Sequence, residues 1–242
     1  MIGGHTLAAM ATLLLMRHGR TQANVDGVLA GRTPGVGLDE TGRRQAEALG
    51  ERLRDLPLAA LVTSPIQRCA ETAKYVPAAT PVPEERLAEV KYGDWEGKTL
   101  KELAGQELWP IVQQHPSAVR FPGPDGESMA EMAHRATSAI RDWDARVTAE
   151  HGTDAIWGVI SHGDLIKAIV ADALGLHLDQ FQRIVVDPCS VTVIRYTPVR
   201  PFVIRQNDVG GDLSRLVPEP STQRDGTAAA ESDAAVGGGV GS

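Results

Sequence analysis

The sequence predicts an α/β fold, a three-layer sandwich in which a mostly parallel sheet is flanked by helices. Three short apolar runs, at residues 12–16, 58–63 and 155–160, have the length and character of buried parallel strands. Segments with helical spacing follow these runs, and alternation of strands and helices is typical of parallel sheets. Residues 184–205 are expected to add two or three antiparallel strands at one edge of the sheet.

The first half of the chain contains two strands, each ending in polar residues. The first strand runs into Arg17-His18-Gly19, and residues 19–37 are expected to form a loop because they contain five glycines and one proline. A helix is predicted to begin near Asp39, a favourable N-cap residue. After the second strand, Ser64-Pro65 predicts another helix start, with serine as the cap and proline at the first helical position.

The second half contains the longest predicted helix and the third strand. Short helices are expected near residues 99–105 and 107–114. The pattern Ser128-x-x-Glu131 is typical of a capping box, and it opens a helix that is predicted to reach about residue 150. The third strand leads through Ser161-His162-Gly163-Asp164 into a helix at 165–174.

The composition indicates one folded domain at residues 12–206, with a flexible extension at 1–11 and a disordered acidic tail at 207–242 rich in Gly, Ala and Ser. The tail holds two basic and six acidic residues, so it carries −4 of the net charge of −7. The domain itself is nearly neutral, and we expect no nucleic-acid partner. The apolar run at 7–16 is too short to span a membrane and lacks the basic region of a signal peptide, so no membrane partner is expected.

The two cysteines, Cys69 and Cys189, lie far apart and form no C-x-x-C motif. We therefore expect small core residues rather than a disulfide, in a protein of the reducing cytoplasm. The sequence does not decide whether the protein forms a homodimer.

Polar residues stand at all three predicted strand ends: Arg17-His18, Ser64 with Arg68, and Ser161-His162. Ligands of open α/β sheets bind beyond the carboxyl ends of the strands, so these side chains are expected to converge. Arginine forks match phosphate oxygens, and helix starts after Ser64 and Gly163 offer free backbone N–H groups. The pattern indicates a site for phosphoryl transfer.

The nucleophile of such a site is expected to be His18. The chain has no C-x5-R loop and no Asp-rich motif that would favour cysteine or aspartate. The positive charge of Arg17 disfavours protonation of His18 and keeps a nitrogen lone pair available. Because no Mg²⁺-binding acid cluster or P-loop accompanies these residues, we expect no metal and no cofactor.

Five ordered motifs, which together cover roughly residues 12–206, resemble those of the histidine phosphatase superfamily, also called the phosphoglycerate-mutase-like family. They are Arg17-His18-Gly19-x-Thr21-x-x-Asn24, Gly37-Leu38-Asp39-x-x-Gly42-x-x-Gln45-Ala46, Ser64-Pro65-x-x-Arg68-x-x-x-Thr72-Ala73, Leu87-x-Glu89-x-x-x-Gly93-x-Trp95-Glu96-Gly97, and Ser161-His162-Gly163. The resemblance implies a phosphoglycerate-mutase-like fold and a phosphatase that hydrolyses a small phosphorylated metabolite.

The resemblance also implies the role of each site residue. His18 would accept the phosphoryl group as a phosphohistidine. Its oxygens would be bound by the side chains of Arg17, Arg68 and His162, and the substrate pocket would also include Thr21, Asn24 and Gly163. Glu89 would protonate the leaving oxygen and then activate water. Asp164 is kept as the alternative acid.

Two other functions stay open. A phosphomutase would return the phosphoryl group from His18 to a second hydroxyl. This chain departs from the mutase pattern R-H-G-[EQ]-S-x-W-N and E-R-x-Y-G at Arg20, Thr21, Ala23 and Val90. A non-catalytic phospholigand-binding protein is the alternative of another class. The sequence does not identify the substrate, whose specificity we place in residues 91–130.

Overall fold

The computed structural model describes residues 11–77 and 80–211, together with residues 236, 237 and 239. Its described part contains a six-stranded sheet with the strand order β3-β2-β4-β1-β5-β6. The strands are β1 (Thr12–Arg17), β2 (Leu58–Thr63), β3 (Val82–Pro83), β4 (Ile156–Ser161), β5 (Val191–Arg195) and β6 (Phe202–Asp208).

The first four strands are parallel, and the last two are antiparallel. β1 pairs with β4, β4 with β2 and β2 with β3 in parallel, while β5 pairs antiparallel with both β1 and β6. The predicted α/β class and the predicted antiparallel edge are both confirmed. The described helices are α1 (Gln22–Val25), α2 (Glu40–Leu53), α3 (Gln67–Ala73), α4 (Leu100–Leu103), α5 (Trp109–Gln114), α6 (Met129–His151) and α7 (Gly163–Leu174).

The core is split into two layers by the sheet. Successive residues of β1 point to opposite faces, so Leu13 and Leu15 enter one hydrophobic cluster while Leu14 and Met16 enter the other. The first cluster contains apolar residues of α6 and α7, and the second contains those of α2 and α3. Burial on both faces explains why β1 has an uninterrupted apolar sequence.

Two predicted helix starts are confirmed by their caps. Asp39 is the N-cap of α2, and its Oδ1 accepts a hydrogen bond of 2.6 Å from the N–H of Gly42. Ser128 and Glu131 form the predicted capping box of α6. Both patterns depend on residues within three positions of each other, which is why the sequence alone reveals them.

Two local predictions are wrong. The segment 19–37 is not entirely loop, because Thr21 and Asn24 form a capping box that opens the four-residue helix α1. Ser64-Pro65 does not begin the next helix, since α3 starts at Gln67 with Ile66 as its N-cap. The hydroxyl of Ser64 accepts from the N–H of Ile66 at 3.3 Å, and it also contacts a ring nitrogen of His162, a partner 98 residues away.

The predicted division into an extension, a domain and a tail stays a prediction, because residues 1–10 and most of 207–242 lie outside the described residues. Within the described tail, Val236 is buried and belongs to the cluster that contains Leu29 and Tyr92. No helix among the described residues is long and apolar enough to cross a membrane.

Candidate active site

The parallel pairing of β1 with β4 brings the two motif histidines together. Arg17 and Ser161 are opposite each other in the register, and the N–H of His18 donates to the carbonyl of Ser161 at 3.0 Å. One residue beyond each strand end, the rings of His18 and His162 lie 5.3 Å apart between centroids. The predicted convergence of these strand ends is therefore present in the fold.

The hydrogen bonds of His18 define which ring nitrogen is free. Nδ1 lies 2.7 Å from the carbonyl oxygen of Gly19, which can only accept, so Nδ1 carries the proton. Nε2 then bears the lone pair, and it accepts a hydrogen bond of 3.1 Å from Nε of Arg68. Burial, followed by the charges of Arg68 and Arg17, lowers the pKa of His18 well below its usual value. His18 is thus neutral, with Nε2 available as a nucleophile.

The tautomer of His162 follows from the same reasoning. Arg68 has no acceptor, so the contact of 3.0 Å between its Nη2 and His162 Nδ1 requires a lone pair on Nδ1. The proton is then on Nε2, which donates to Oγ of Ser64 at 2.8 Å. Burial and the charge of Arg68 lower the pKa of His162 well below its usual value. His162 is neutral in this state and is oriented by Ser64.

Two buried arginines supply positive charge beside these rings. Nη1 of Arg17 donates to the carbonyl of Val186 at 2.8 Å, and burial lowers the pKa of Arg17 to about 10, which leaves the group charged at neutral pH. Nη2 of Arg68 also donates to the carbonyl of Gly31 at 2.9 Å. Nη1 of Arg68 is buried without a hydrogen-bond partner among the described residues. A phosphoryl oxygen would satisfy this donor.

Glu89 is a buried acid that lies beside the Nδ1 edge of the His162 ring. Its Oε1 accepts from the N–H of Val90 at 3.0 Å, and its Oε2 lies 3.8 Å from Nδ1 of His162. Burial and the negative charge of Asp164 raise the pKa of Glu89 to about 7, although Arg68 opposes the shift. A substantial fraction of Glu89 therefore holds a proton at neutral pH, as a general acid requires.

Asp164, the alternative acid, has a different environment. Its Oδ2 accepts hydrogen bonds from the hydroxyl of Tyr92 at 2.8 Å and from the N–H of Gly237 at 3.1 Å. Its Oδ1 lies 3.9 Å from Nζ of Lys167. These contacts hold Asp164 in place close to Glu89, whose pKa its negative charge raises.

The remaining predicted site residues are Thr21, the N-cap of α1, Asn24 within α1, and Gly163 at the start of α7. Thr21 and Asn24 hydrogen-bond to each other, with Thr21 Oγ1 donating to Asn24 Oδ1 at 3.0 Å. Gly163 is the first residue of α7 and is buried directly after His162. Gly19 cannot carry a side chain, because a Cβ there would lie 2.5 Å from the carbonyl oxygen of Gly42.

The cluster formed by Arg17, His18, Arg68, Glu89 and His162 is enclosed by protein. His18 and Glu89 are each only 2% exposed, and Arg17 and His162 are fully buried. In a site that excludes water, the fixed charges of the two arginines interact strongly with a developing phosphoryl charge. The arrangement can therefore provide a nucleophile, an anion site and a proton donor for phosphoryl transfer.

Sequence reasoning missed the roles of Tyr92 and Arg32. Tyr92 is fully buried and positions Asp164, and Arg32 donates from Nε to the carbonyl of Glu89 at 2.7 Å. Tyr92 lies only three residues after Glu89, and this short spacing could have placed it near the site from the sequence. Nothing near Arg32 in the sequence indicates its contact with Glu89, which is 57 residues away. Trp95 and Trp109 are both buried and in ring contact, and both belong to the hydrophobic core.

The part of the chain that the structure describes contains no group of three or more His, Cys, Asp or Glu side chains with the geometry of a metal site.

Comparison with protein families gives a match over most of the chain. Residues 13–209 match the sequence profile of the histidine phosphatase superfamily (branch 1). This range contains every residue of the cluster described above.

Individual relatives include both phosphatases and mutases. The acid phosphatase of Mycobacterium tuberculosis is 32% identical over 183 residues, which cover 75% of this chain and 84% of that protein. The 2,3-bisphosphoglycerate-dependent phosphoglycerate mutase 2 of Gloeobacter violaceus is 28% identical over 186 residues, covering 74% of this chain and 83% of that protein. Among solved structures, Bacillus stearothermophilus YhfR aligns with a TM-score of 0.73 and 30% identity, over 83% of this chain and 98% of that one.

Proposed function

The chain belongs to the histidine phosphatase superfamily, branch 1, and on that premise we propose that it hydrolyses a small phosphate monoester through a phosphohistidine on His18. The proposal rests on the tautomer of His18. Its Nδ1–H is bound by the carbonyl of Gly19, so the lone pair of Nε2 is available within a cluster that contains two arginines.

The first step transfers the phosphoryl group to His18. Nε2 attacks phosphorus, the P–O bond to the alcohol breaks, and Glu89 gives its proton to the leaving oxygen. Arg17 and Arg68 stabilise the charge on the transferring group. His162 donates to a phosphoryl oxygen only when doubly protonated, because its single proton is bound to Ser64, and the charge of the bound phosphate favours that protonation.

The second step returns the enzyme to its starting state. A water molecule attacks phosphorus, Glu89 takes a proton from that water, and the P–N bond to His18 breaks with release of inorganic phosphate. Glu89 is then protonated again for the next cycle, so a single buried carboxyl serves both steps.

The test is a rapid-quench experiment with ³²P-labelled substrate, with and without EDTA. We expect an acid-labile, base-stable phosphoryl-enzyme that is lost in His18→Ala, and no effect of EDTA. His134→Ala is the matched control, because His134 is exposed on α6 away from the cluster. Label on another residue type, or full turnover in His18→Ala, would contradict the proposal.

A phosphomutase is the second candidate, and the similarity to the Gloeobacter mutase favours it. The same phosphohistidine would pass its phosphoryl group to a second hydroxyl instead of water. Measuring inorganic phosphate and isomerised ester in the same reaction separates the two activities. Absence of both in the presence of bound phosphate ester would leave the non-catalytic alternative.

We place the enzyme in the cytoplasm as part of this proposal. Cys69 and Cys189 are both free and buried, which supports the expectation of a reducing compartment.

A further inference from the structure

One loop holds Arg17 through both its backbone and its side chain. The loop consists of residues 186–190, directly before β5, and is called the Arg17 loop below. The N–H of Arg17 donates to the carbonyl of Ser190 at 3.3 Å, and the carbonyl of Arg17 accepts from the N–H of Cys189 at 3.1 Å. Nη1 of Arg17 donates to the carbonyl of Val186 at 2.8 Å. Because the side chain is fully buried, the conformation of this loop sets where its guanidinium lies.

The Arg17 loop contains a tight turn with a strained residue. The N–H of Ser190 donates to the carbonyl of Asp187 at 3.0 Å, and Pro188 and Cys189 are the two central residues of the turn. Cys189 has a φ of +56°, in the region that a type II turn requires at this position and that glycine usually supplies. Other residues keep such a φ only where the surrounding contacts hold them there. The N–H of Cys189 is itself one of the donors to Arg17, so the strain lies in a contact to the phosphoryl site.

A second strained residue, Asn207, lies on the other side of the loop. β6 contains a bulge here, since it has two residues, at 206 and 207, where β5 has only Thr192. Asn207 has a φ of +51°, and its N–H donates to Oγ1 of Thr192 at 3.2 Å. Within the described residues, Asn207 and Cys189 are the only residues other than glycine with a positive φ. Bulges redirect side chains, and this one directs the amide group of Asn207 toward the Arg17 loop.

The amide group of Asn207 binds Asp187 at two points. Its Oδ1 accepts from the N–H of Asp187 at 2.6 Å, and its Nδ2 donates to Oδ2 of Asp187 at 2.9 Å. Asp187 is buried and directly follows Val186, whose carbonyl accepts from Arg17. Burial lowers the pKa of Arg17, and the charge of Asp187 is among those that oppose this shift. Asn207 therefore fixes both a backbone segment and a charge on which Arg17 depends.

We propose that Asn207 and Asp187 are positioning residues for the phosphoryl site, which act through the Arg17 loop on the orientation of Arg17. A guanidinium binds an oxyanion through N–H groups of fixed direction, so a small rotation weakens its bonds to a phosphoryl group. This inference rests on the proposed function, because that function places Arg17 on the phosphoryl group.

A purely structural role of Asn207 would have a different result. If the bulge only joined β5 to β6, its loss would lower the melting temperature without changing the affinity of the active site for an anion. Inorganic phosphate is the product of the proposed reaction and binds where the phosphoryl group lies. Its inhibition constant does not depend on the amount of active enzyme, so partial misfolding of a variant does not imitate a loss of affinity.

The test measures the inhibition constant of inorganic phosphate against hydrolysis of p-nitrophenyl phosphate. Asn207→Gly removes the amide group but adopts a positive φ without strain, so it isolates the contacts to Asp187. We expect the inhibition constant to rise about 5–30-fold and kcat/KM to fall by a similar factor. Thr197→Ala is the matched control, because the hydroxyl of Thr197 bonds to the backbone of Arg200 between β5 and β6. It should lower the melting temperature and keep the wild-type inhibition constant.

A pair of variants at Asp187 separates the contact from the charge. Asp187→Asn keeps an oxygen that accepts from Nδ2 of Asn207, whereas Asp187→Ala does not. Both variants lack the negative charge, so they differ only in the contact. We expect the inhibition constant of Asp187→Ala to exceed that of Asp187→Asn by about fivefold or more. Equal constants would mean that the contact with Asn207 does not affect phosphate binding.

A double-mutant cycle tests the route through Arg17. Arg17→Lys lacks the guanidinium, so adding Asn207→Gly to it should weaken phosphate binding by less than about twofold. Isothermal titration calorimetry with phosphate gives the dissociation constant where turnover is too low for inhibition measurements. An unchanged phosphate affinity in Asn207→Gly, or an equal loss with and without Arg17→Lys, would overturn the inference. In either case, a phosphoryl-enzyme that depends on His18 would leave the proposed function intact, whereas its absence in the wild type would contradict that function.

Discussion

The hydroxyl of Tyr92 donates a hydrogen bond of 2.8 Å to Oδ2 of Asp164, and both side chains are almost completely buried. Tyr92 lies three residues after Glu89, and Asp164 lies two residues after His162. This bond joins the segment of Glu89, the proposed general acid, to the segment of His162. It also fixes a buried carboxylate close to Glu89, whose pKa is raised by burial and by that carboxylate.

The first prediction concerns the pH dependence of the first step. Glu89 must be protonated to donate, so kcat/KM should decrease as the pH rises through about 7. Asp164→Asn removes a negative charge that disfavours ionisation of Glu89, so the pKa of Glu89 falls and the decrease begins at lower pH. The measurement is kcat/KM against pH with an alkyl phosphate for the two enzymes.

The comparison with wild type cancels the titration of the substrate itself, since both enzymes use the same ester. Tyr92→Phe leaves the carboxyl group of Asp164 in place and serves as the matched control, and its kcat/KM should decrease at the wild-type pH or slightly above it. An unchanged pH profile in Asp164→Asn would mean that Asp164 does not act on Glu89.

The second prediction concerns the leaving group. An alkyl oxygen is a poor leaving group that needs a proton, whereas p-nitrophenolate does not. Glu89→Gln should slow phosphohistidine formation by about 10²–10⁴-fold with an alkyl ester and much less with p-nitrophenyl phosphate. Single-turnover rates are required, because the proposed mechanism also uses Glu89 in the second step.

Glu107→Gln is the control for this experiment, because Glu107 is exposed and lies outside the cluster. If Glu89→Gln slows phosphohistidine formation equally with both esters, Glu89 acts in substrate binding or in water activation. The same pair of esters tested on Asp164→Asn would then show whether Asp164 is the acid.

The third prediction concerns stability and Asp144. Its Oδ1 accepts from Nε1 of Trp157 at 3.1 Å, while Oδ2 is buried without a hydrogen-bond partner among the described residues. Burial raises the pKa of Asp144 from 3.8 to about 6. The folded protein therefore binds this proton more tightly than the unfolded chain, and its stability decreases as the pH rises from about 4 to about 6.

Asp144→Asn keeps the acceptor for Trp157 and removes the buried charge. We expect the melting temperature at pH 7–8 to rise by about 3–8 °C, with little gain at pH 4. Thermal unfolding across this pH range is the measurement. Asp142→Asn, an exposed position on the same helix, should show no such pH-dependent gain, and an equal gain there would refute the assignment.

The fourth prediction concerns the C-terminal segment. A chain that ends at residue 211 loses the buried side chain of Val236 and the contact of Gly237 with Asp164. We expect it to fold and to retain turnover within about threefold, with a melting temperature lower by a few degrees. Val236→Ala in the full chain should reproduce part of the thermal effect. A loss of turnover above tenfold would mean that the segment takes part in catalysis.

The sequence by itself determined the strand ends and the caps. Thr12–Arg17, Leu58–Thr63 and Ile156–Ser161 are apolar runs whose carboxyl ends must share one edge of a parallel sheet, so His18, Arg68 and His162 could be grouped from the pattern alone. The caps at Asp39 and Ser128 join residues three positions apart, and such local bonds are readable without a fold.

Only the tertiary structure decided the chemical state of the site. The tautomers of His18 and His162 depend on hydrogen bonds to Gly19, Arg68 and Ser64. Arg68 lies in α3 and Ser64 directly after β2, so both are distant in the chain from the two histidines. The raised pKa of Glu89 depends on burial and on Asp164, which is 75 positions distant in the chain. Ser64 illustrates the difference, because its local pattern predicts a helix cap while its hydroxyl binds a distant histidine. Desolvation and long-range charge arise from packing, and packing is a property that no local pattern contains.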